Sequence, residues 1–82
     1  MKTKNTDILW KRITVNPKVM VGKPTIRGMR ITVEQILTSL ATGISVDDLL
    51  EDYPELEADD ICAVMIYAAK VVKKEKTYPV EA

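Results

Sequence analysis

The sequence contains no histidine and a single cysteine, Cys62, and both shortages limit its chemistry. One cysteine cannot form an intrachain disulfide, and a chain without histidine cannot assemble a structural zinc site of the Cys/His type. Without histidine, the chain also lacks the commonest general base of enzymes. Cys62 lies between Ile61 and Ala63 in the most apolar stretch, where a thiol is inert, and it would be the only nucleophile of an enzyme. We therefore predict a protein that is not an enzyme, with no catalytic residues, no cofactor and no metal site.

Long apolar runs are absent as well. No segment approaches the ~20 consecutive apolar residues that a membrane-spanning helix needs, and no apolar segment follows the lysine-rich start as it would in a signal peptide. We expect a cytoplasmic protein without a membrane partner. With 46% hydrophobic and 29% charged residues, the 82-residue chain has the composition of one small globular domain. Its one tryptophan, three tyrosines and lack of phenylalanine provide too few aromatic rings for a base-stacking platform.

The charges sum to zero but are segregated along the chain. Residues 1–33 carry a net charge of +7, residues 34–66 carry −9, and residues 67–82 carry +2. Such a division can produce a basic face that meets phosphate and an acidic face that avoids it. Equally, the basic and acidic segments can contact each other within the fold or between copies. The sequence leaves both interpretations open.

The first third of the chain has no helical period. Residues 1–12 are predicted to be a flexible basic arm. Between residues 13 and 31, short β-branched runs alternate with the turn signals Asn16-Pro17, Gly22-Lys23-Pro24 and Gly28. This pattern predicts short strands that form an N-terminal β-hairpin.

A helical period begins after Thr32. The segment from Thr32 to Gln35 matches a capping box, and Gly43 is a typical helix stop, so we predict a helix over about 33–42. Ser45 is positioned to cap a second helix over 46–52, which must end before Pro54. A third helix is expected over 58–74, followed by a tail at 75–82. The domain 13–74 thus has the outline of a mainly α, three-helix helix-turn-helix bundle.

The third helix is apolar on nearly all sides between Ile61 and Ala69. One stripe is expected to face the core: Ile61, Val64, Met65, Ala68 and Val72. A second stripe at helical spacing predicts a contact with a second copy in a homodimer: Cys62, Ile66, Ala69 and Lys73. The alternative is that the N-terminal strands fold over this second stripe within one chain.

If the protein binds double-stranded DNA, the second helix is an unsuitable reading element, because it exposes four carboxylates that phosphates would repel. The basic N-terminal segment is expected to make the phosphate contacts instead, through Lys11, Arg12, Lys23, Arg27 and Arg30. The competing interpretation is that residues such as Lys23 and Arg30 form local hydrogen bonds that fix the turns.

The chain also resembles a known family, the small bacterial and archaeal proteins grouped as domain of unknown function 433 and described as VapB-type antitoxin-like. The resemblance spans Ile13 to Ala69 and rests on Gly22-Lys23-Pro24, Ile26, Gly28, Arg30-Ile31, Val33, Ile36-Leu37, Leu40, Gly43, Ser45, Tyr53-Pro54, Leu56, Asp60-Ile61, Ala63 and Tyr67-Ala68. Two positions depart from the family pattern. Met29 stands where threonine is usual, and Glu57 stands where a hydroxyl residue usually caps the last helix.

The resemblance implies a homeodomain-like or winged helix-turn-helix fold and no catalytic residues. It also implies frequent genomic pairing with a PIN-like nuclease toxin, which the antitoxin would neutralise while repressing its own operon. A structural protein-interaction module without nucleic-acid binding is the alternative function.

Overall fold

The structure is a computed structural model that describes the backbone of residues 6–75 and the side chains of residues 8–74. This part of the chain is mainly helical, with a small two-stranded antiparallel sheet near its start, as the sequence predicts. The elements are, in order, α1 (Thr6–Trp10), β1 (Ile13–Thr14), a turn at Met20–Gly22, β2 (Thr25–Ile26), α2 (Val33–Ala41), α3 (Val46–Asp52) and α4 (Ala58–Glu75).

The sheet is short because each strand contributes only two residues. Ile13 pairs with Ile26 and Thr14 pairs with Thr25. The sequence pattern groups Val19 to Val21 with the strands, but in the structure this segment leads into the turn instead. Met20 and Val21 both adopt positive φ there. The strand pairing is supplemented by side chains, since the hydroxyls of Thr14 and Thr25 lie 3.2 Å apart.

Local signals fix the starts and ends of α2 and α3. The Thr32 hydroxyl accepts a hydrogen bond from the Gln35 N–H at 3.0 Å, and the Gln35 side chain accepts one from the Thr32 N–H at 3.0 Å. This is a complete capping box. At the other end of α2, Gly43 adopts a φ of +98° and the Ile44 N–H bonds back to the Ser39 carbonyl, which closes the helix as a Schellman motif does.

The hydrophobic core lies where the sheet and α2, α3 and α4 meet. Ile26, Ile36, Leu49 and Val64 are almost completely buried, and they link β2 to each of the three longer helices. The remaining members of the core cluster are Ile31, Val33, Leu56 and Ile61. Burial of each of these four side chains stabilises the fold by about 1.5–3 kcal/mol.

The start of the domain differs from the prediction. Residues 6–10, assigned to a flexible arm, form the helix α1, which packs against α4 and buries Leu9. Residues 1–5 of that arm, and residues 76–82 of the predicted tail, lie outside the described residues.

The buried face of α4 is rotated relative to the predicted one. Ile61 and Val64 are buried as expected, but Met65 and Val72 are 49% and 71% exposed. Asp60 and Ala63 are fully buried in their place. The physical reason is that α1 and β1 pack beside α4, and their position brings the Asp60 and Ala63 side of the helix into the interior.

Candidate functional site

The most organised group of polar side chains surrounds Asp60, in the first turn of α4. Its carboxylate is fully buried and binds two arginines that arrive from the N-terminal segment. Arg27 donates from Nε to Oδ1 at 3.0 Å and from Nη2 to Oδ2 at 2.8 Å, which makes a bidentate pair. Arg12 donates from Nη1 to Oδ1 at 2.9 Å. The hairpin and α4 are thereby joined by charged hydrogen bonds.

Asp60 also caps the helix to which it belongs. Its Oδ2 accepts a hydrogen bond from the Glu57 N–H at 2.8 Å, which is one half of a capping box. The Glu57 side chain does not supply the other half, because its Oε1 accepts a hydrogen bond from Arg12 Nη1 at 2.7 Å. The hydroxyl cap that the family resemblance leads us to expect at position 57 is absent, and Glu57 forms an ion pair with Arg12 instead.

The electrostatics of this cluster follow from its geometry. Burial alone would raise the pKa of Asp60, but the hydrogen bonds from Arg27, the Glu57 backbone and Arg12 outweigh it and hold the pKa below its ordinary value. The hydrogen bonds to Glu57 and Asp60 raise the pKa of Arg12, and the hydrogen bond to Asp60 raises that of Arg27. Asp60, Arg12 and Arg27 are therefore charged at neutral pH.

The backbone of Arg27 is held in an uncommon conformation. Its φ of +46° lies in the left-handed region, which costs a non-glycine residue about 1–3 kcal/mol. Three bonds offset that cost locally: the Arg27 N–H donates to the Arg12 carbonyl at 2.7 Å, Arg27 Nη2 donates to the Glu55 carbonyl at 2.7 Å, and the adjacent Gly28 N–H donates to the Thr14 hydroxyl at 2.9 Å. The turn therefore aims the guanidinium at α4.

The five residues predicted to contact DNA fall into two groups. Arg12 and Arg27 bind Asp60, and Lys23 forms an exposed pair with Glu34 at 3.0 Å. Lys11 and Arg30 are exposed, and within the part of the chain that the structure describes neither forms a side-chain hydrogen bond or ion pair. Their role as phosphate contacts stays a prediction, and Lys11 and Arg30 are the two whose charges are not already engaged by a carboxylate.

The acidic residues of α3 form a separate, exposed surface. Leu49 is buried and fastens the helix to the core, while its outer side carries Asp47, Asp48, Glu51 and Asp52. Ser45 caps this helix through a hydrogen bond from the Asp48 N–H at 3.1 Å. The same carboxylates that make α3 unsuited to a DNA groove give the domain a compact anionic face. We call these four residues the α3 acidic face.

A third cluster joins α1 to α4 through aromatic rings. Trp10 stacks on Tyr67 with ring centroids 5.5 Å apart, and the Lys70 ammonium lies 5.0 Å from the Trp10 ring centroid. Stacking and cation–π contacts of this kind each contribute about 0.5–1.5 kcal/mol. The sequence interpretation missed this contact, because Trp10 lies in a segment without helical period.

The four predicted dimer residues of α4 differ in exposure. Cys62 and Ile66 are half-buried, and Ala69 and Lys73 are exposed. Cys62 is a free thiol. Among the described residues, no group of three or more Cys, Asp and Glu side chains is arranged to hold a metal ion, and no helix is long and apolar enough to cross a membrane.

Comparison with known proteins places residues 13–68 in a family described as proteins of unknown function (DUF433). The chain belongs to the DUF433 family. In this DUF433 chain, the matched region starts at β1 and ends within α4, so it contains Arg27 and Asp60. Two contact residues precede the matched region. Arg12 binds Glu57 and Asp60, and Trp10 stacks on Tyr67.

A similar curated protein is the uncharacterized protein y4eO of Sinorhizobium fredii (strain NBRC 101917 / NGR234), which is 39% identical over 56 residues. The match covers 68% of the DUF433 chain and 25% of y4eO, so the chain spans about a quarter of the length of this relative. No solved structure matches the DUF433 chain.

Proposed function

We propose that this DUF433 chain is a non-catalytic, antitoxin-like binding protein that neutralises a PIN-like nuclease toxin in the cytoplasm. The resemblance to VapB-type antitoxin-like proteins motivates the proposal, and the α3 acidic face supports it. A nuclease binds a polyanion in a cleft of positive potential. Four carboxylates on one short helix present the complementary charge to such a cleft.

The α3 acidic face is supported by the interior, which makes it suitable for binding a partner without rearrangement. Leu49 is 1% exposed and packs in the core cluster, and Val46 and Leu50 lie against that cluster. The Tyr53 N–H bonds back to the Leu49 carbonyl at 2.9 Å and Pro54 follows, so the helix ends cleanly. The carboxylates are thus displayed from a fixed backbone, which lowers the entropic cost of binding.

Co-expression with the product of the neighbouring open reading frame tests this function. We expect a complex and rescue of cell growth from the nuclease. The double variant Glu51→Lys/Asp52→Lys should weaken the complex by about tenfold or more, because both charges are reversed at the C-terminal turn of α3, where lysine also suits the helix dipole. The matched control is Glu55→Lys compared with the single variant Glu51→Lys, because both change the net charge equally and Glu55→Lys leaves α3 and the Lys23–Glu34 pair intact.

The outcome that contradicts the proposal is absence of both complex and rescue. Equal loss of affinity in the α3 variant and the control would retain the nuclease partner but remove α3 as its contact.

We further propose that α2, α3 and α4 form a helix-turn-helix unit and that the protein represses its operon by binding double-stranded DNA through basic residues of the hairpin side. The supporting observation is that a four-residue turn, Thr42 to Ser45, joins α2 to α3. Because α3 is acidic, the phosphate contacts are assigned to Lys11, Lys23 and Arg30, with Arg12 and Arg27 partly occupied by Asp60.

The salt dependence of duplex binding tests the DNA proposal. The logarithm of the binding constant falls linearly with the logarithm of the salt concentration, and we call the steepness of this line the salt slope. Removing a lysine or arginine that contacts phosphate should reduce the salt slope by about one. We expect this for Arg30→Ala and Lys11→Ala, which lack intramolecular partners within the described residues. For Arg27→Ala, an unchanged slope with a lower melting temperature would assign that residue to structure alone.

A second candidate function is a protein-interaction module without nucleic-acid binding. The observation that favours it is that three of the five predicted DNA residues already pair with carboxylates of the same chain. In that case, duplex binding would be undetectable even at low salt, where phosphate contacts are strongest.

A further inference from the structure

One face of α4 combines regular apolar spacing with exposure. Its residues follow each other in alternating steps of four and three: Ala58, Cys62, Met65, Ala69 and Val72. Cys62 is half-buried and the other four are exposed, Met65 by 49% and Val72 by 71%. We call these five residues the α4 stripe. Alternating steps of four and three are the spacing with which two helices pack along a common seam.

Several other residues of α4 are covered within the chain. Asp60 and Ala63 face the interior near β1 and the arginines, Ile61 and Val64 belong to the core cluster, and Tyr67 packs beneath Trp10 of α1. The chain covers these residues and leaves four of the five stripe residues exposed. A contiguous apolar row of this length on a small protein marks an interaction surface.

We propose that a second copy of this chain covers the α4 stripe, with the two α4 helices antiparallel across a two-fold axis near Met65 and Ile66. A two-fold axis uses the same surface on both copies, so the surface must complement itself. The apolar residues of the α4 stripe complement their own copies through their sizes. Ala58, Cys62 and Ala69 are small enough for close approach, and Met65 at the centre is flexible enough to fill the space that they leave.

The charges beside the stripe determine the direction of the pair. Asp59, Ile66 and Lys73 form the adjoining row, seven residues apart. In an antiparallel pair centred on Ile66, Asp59 of each copy lies opposite Lys73 of the other, so both ends carry opposite charges. A parallel pair would place Asp59 against Asp59 and Lys73 against Lys73. Asp59 also lies 3.8 Å from Arg12 of its own chain, and its side chain is 41% exposed.

The wild-type chain should therefore be a dimer by light scattering or sedimentation. Met65→Asp places a carboxylate in the seam and should raise the dimer dissociation constant by about a hundredfold or more, because burying an unpaired charge is costly. The variant should keep the wild-type helical circular dichroism, since Met65 is not part of the monomer core. Val15→Asp, an equivalent change at a 60% exposed position outside α4, is the matched control and should remain dimeric.

Charge exchange tests the antiparallel direction. Asp59→Lys alone and Lys73→Glu alone each create two like-charge contacts in their homodimers and should weaken them. Combining both substitutions in one chain restores opposite charges at both ends of an antiparallel pair, so the double variant should recover the wild-type dissociation constant in sedimentation. In a parallel pair the wild type and all three variants would place like charges together, so a double variant no tighter than the single variants would overturn the antiparallel arrangement.

A wild type that is monomeric at the highest soluble concentration would overturn the proposal as a whole. Complex formation with a nuclease does not bear on this result, because light scattering on the purified chain measures self-association alone.

Discussion

Arg27 and Asp60 lie 33 residues apart in the sequence, and the guanidinium of the first binds both carboxylate oxygens of the second, at 3.0 and 2.8 Å. The carboxylate is fully buried, whereas the arginine side chain is 37% exposed. Because Asp60 also caps α4, one side chain connects the path of the hairpin to the start of the longest helix.

Replacing this carboxylate should destabilise the domain strongly. Asp60→Asn keeps the shape but removes the charge that Arg12 and Arg27 neutralise, and we expect a loss of about 2–4 kcal/mol in the free energy of unfolding. Urea denaturation measures it. Asp52→Asn, at an exposed site in the last turn of α3, should change stability by less than about 0.5 kcal/mol. Similar stabilities for the two variants would show that the cluster contributes little.

Acid should weaken the fold through the same group. Because the pKa of Asp60 is lowered in the folded state, the unfolded chain binds a proton first as pH falls. The contribution of Asp60 is fully present above the ordinary carboxyl pKa of about 4 and is lost as pH falls below it, through the lowered folded-state pKa. Urea midpoints between neutral pH and strong acid should therefore converge for the wild type and Asp60→Asn. A constant difference across that range would contradict the lowered pKa.

The capping box at α2 provides a test of local structure. Thr32→Val removes the hydroxyl that accepts the Gln35 N–H but preserves shape, and we expect a loss of about 1–2 kcal/mol. Thermal unfolding by circular dichroism measures it. The control is Thr38→Val, on the exposed side of the same helix, for which the melting temperature should barely change.

The aromatic contact of α1 should also be measurable. Trp10→Ala removes the stacking on Tyr67 and the Lys70 contact, and we expect a loss of about 1–3 kcal/mol from these contacts and the lost burial. Val15→Ala, at a residue that is more exposed, serves as the control in the same urea titration. If Trp10→Ala is as stable as the control, the Trp10 contacts do not stabilise the domain.

Local chemistry explains which parts of the fold could be predicted. The mainly helical class, the short sheet, the Thr32 and Ser45 caps and the end of α2 at Gly43 all follow from residues within a turn or two of the feature they determine. The DUF433 family could also be inferred from residues along the chain, because its matching positions span most of residues 13–68.

The tertiary structure decided the rest. Asp60 reads in sequence as one more acid at a helix start, and only the approach of Arg12 and Arg27 from 48 and 33 residues away makes it the centre of a buried cluster. Likewise, the apolar residues of α4 are arranged nearly all round the helix, so spacing alone could not select the buried face. That choice depends on where α1 and β1 pack, and packing between distant segments is set by shape and charge complementarity that no local period encodes.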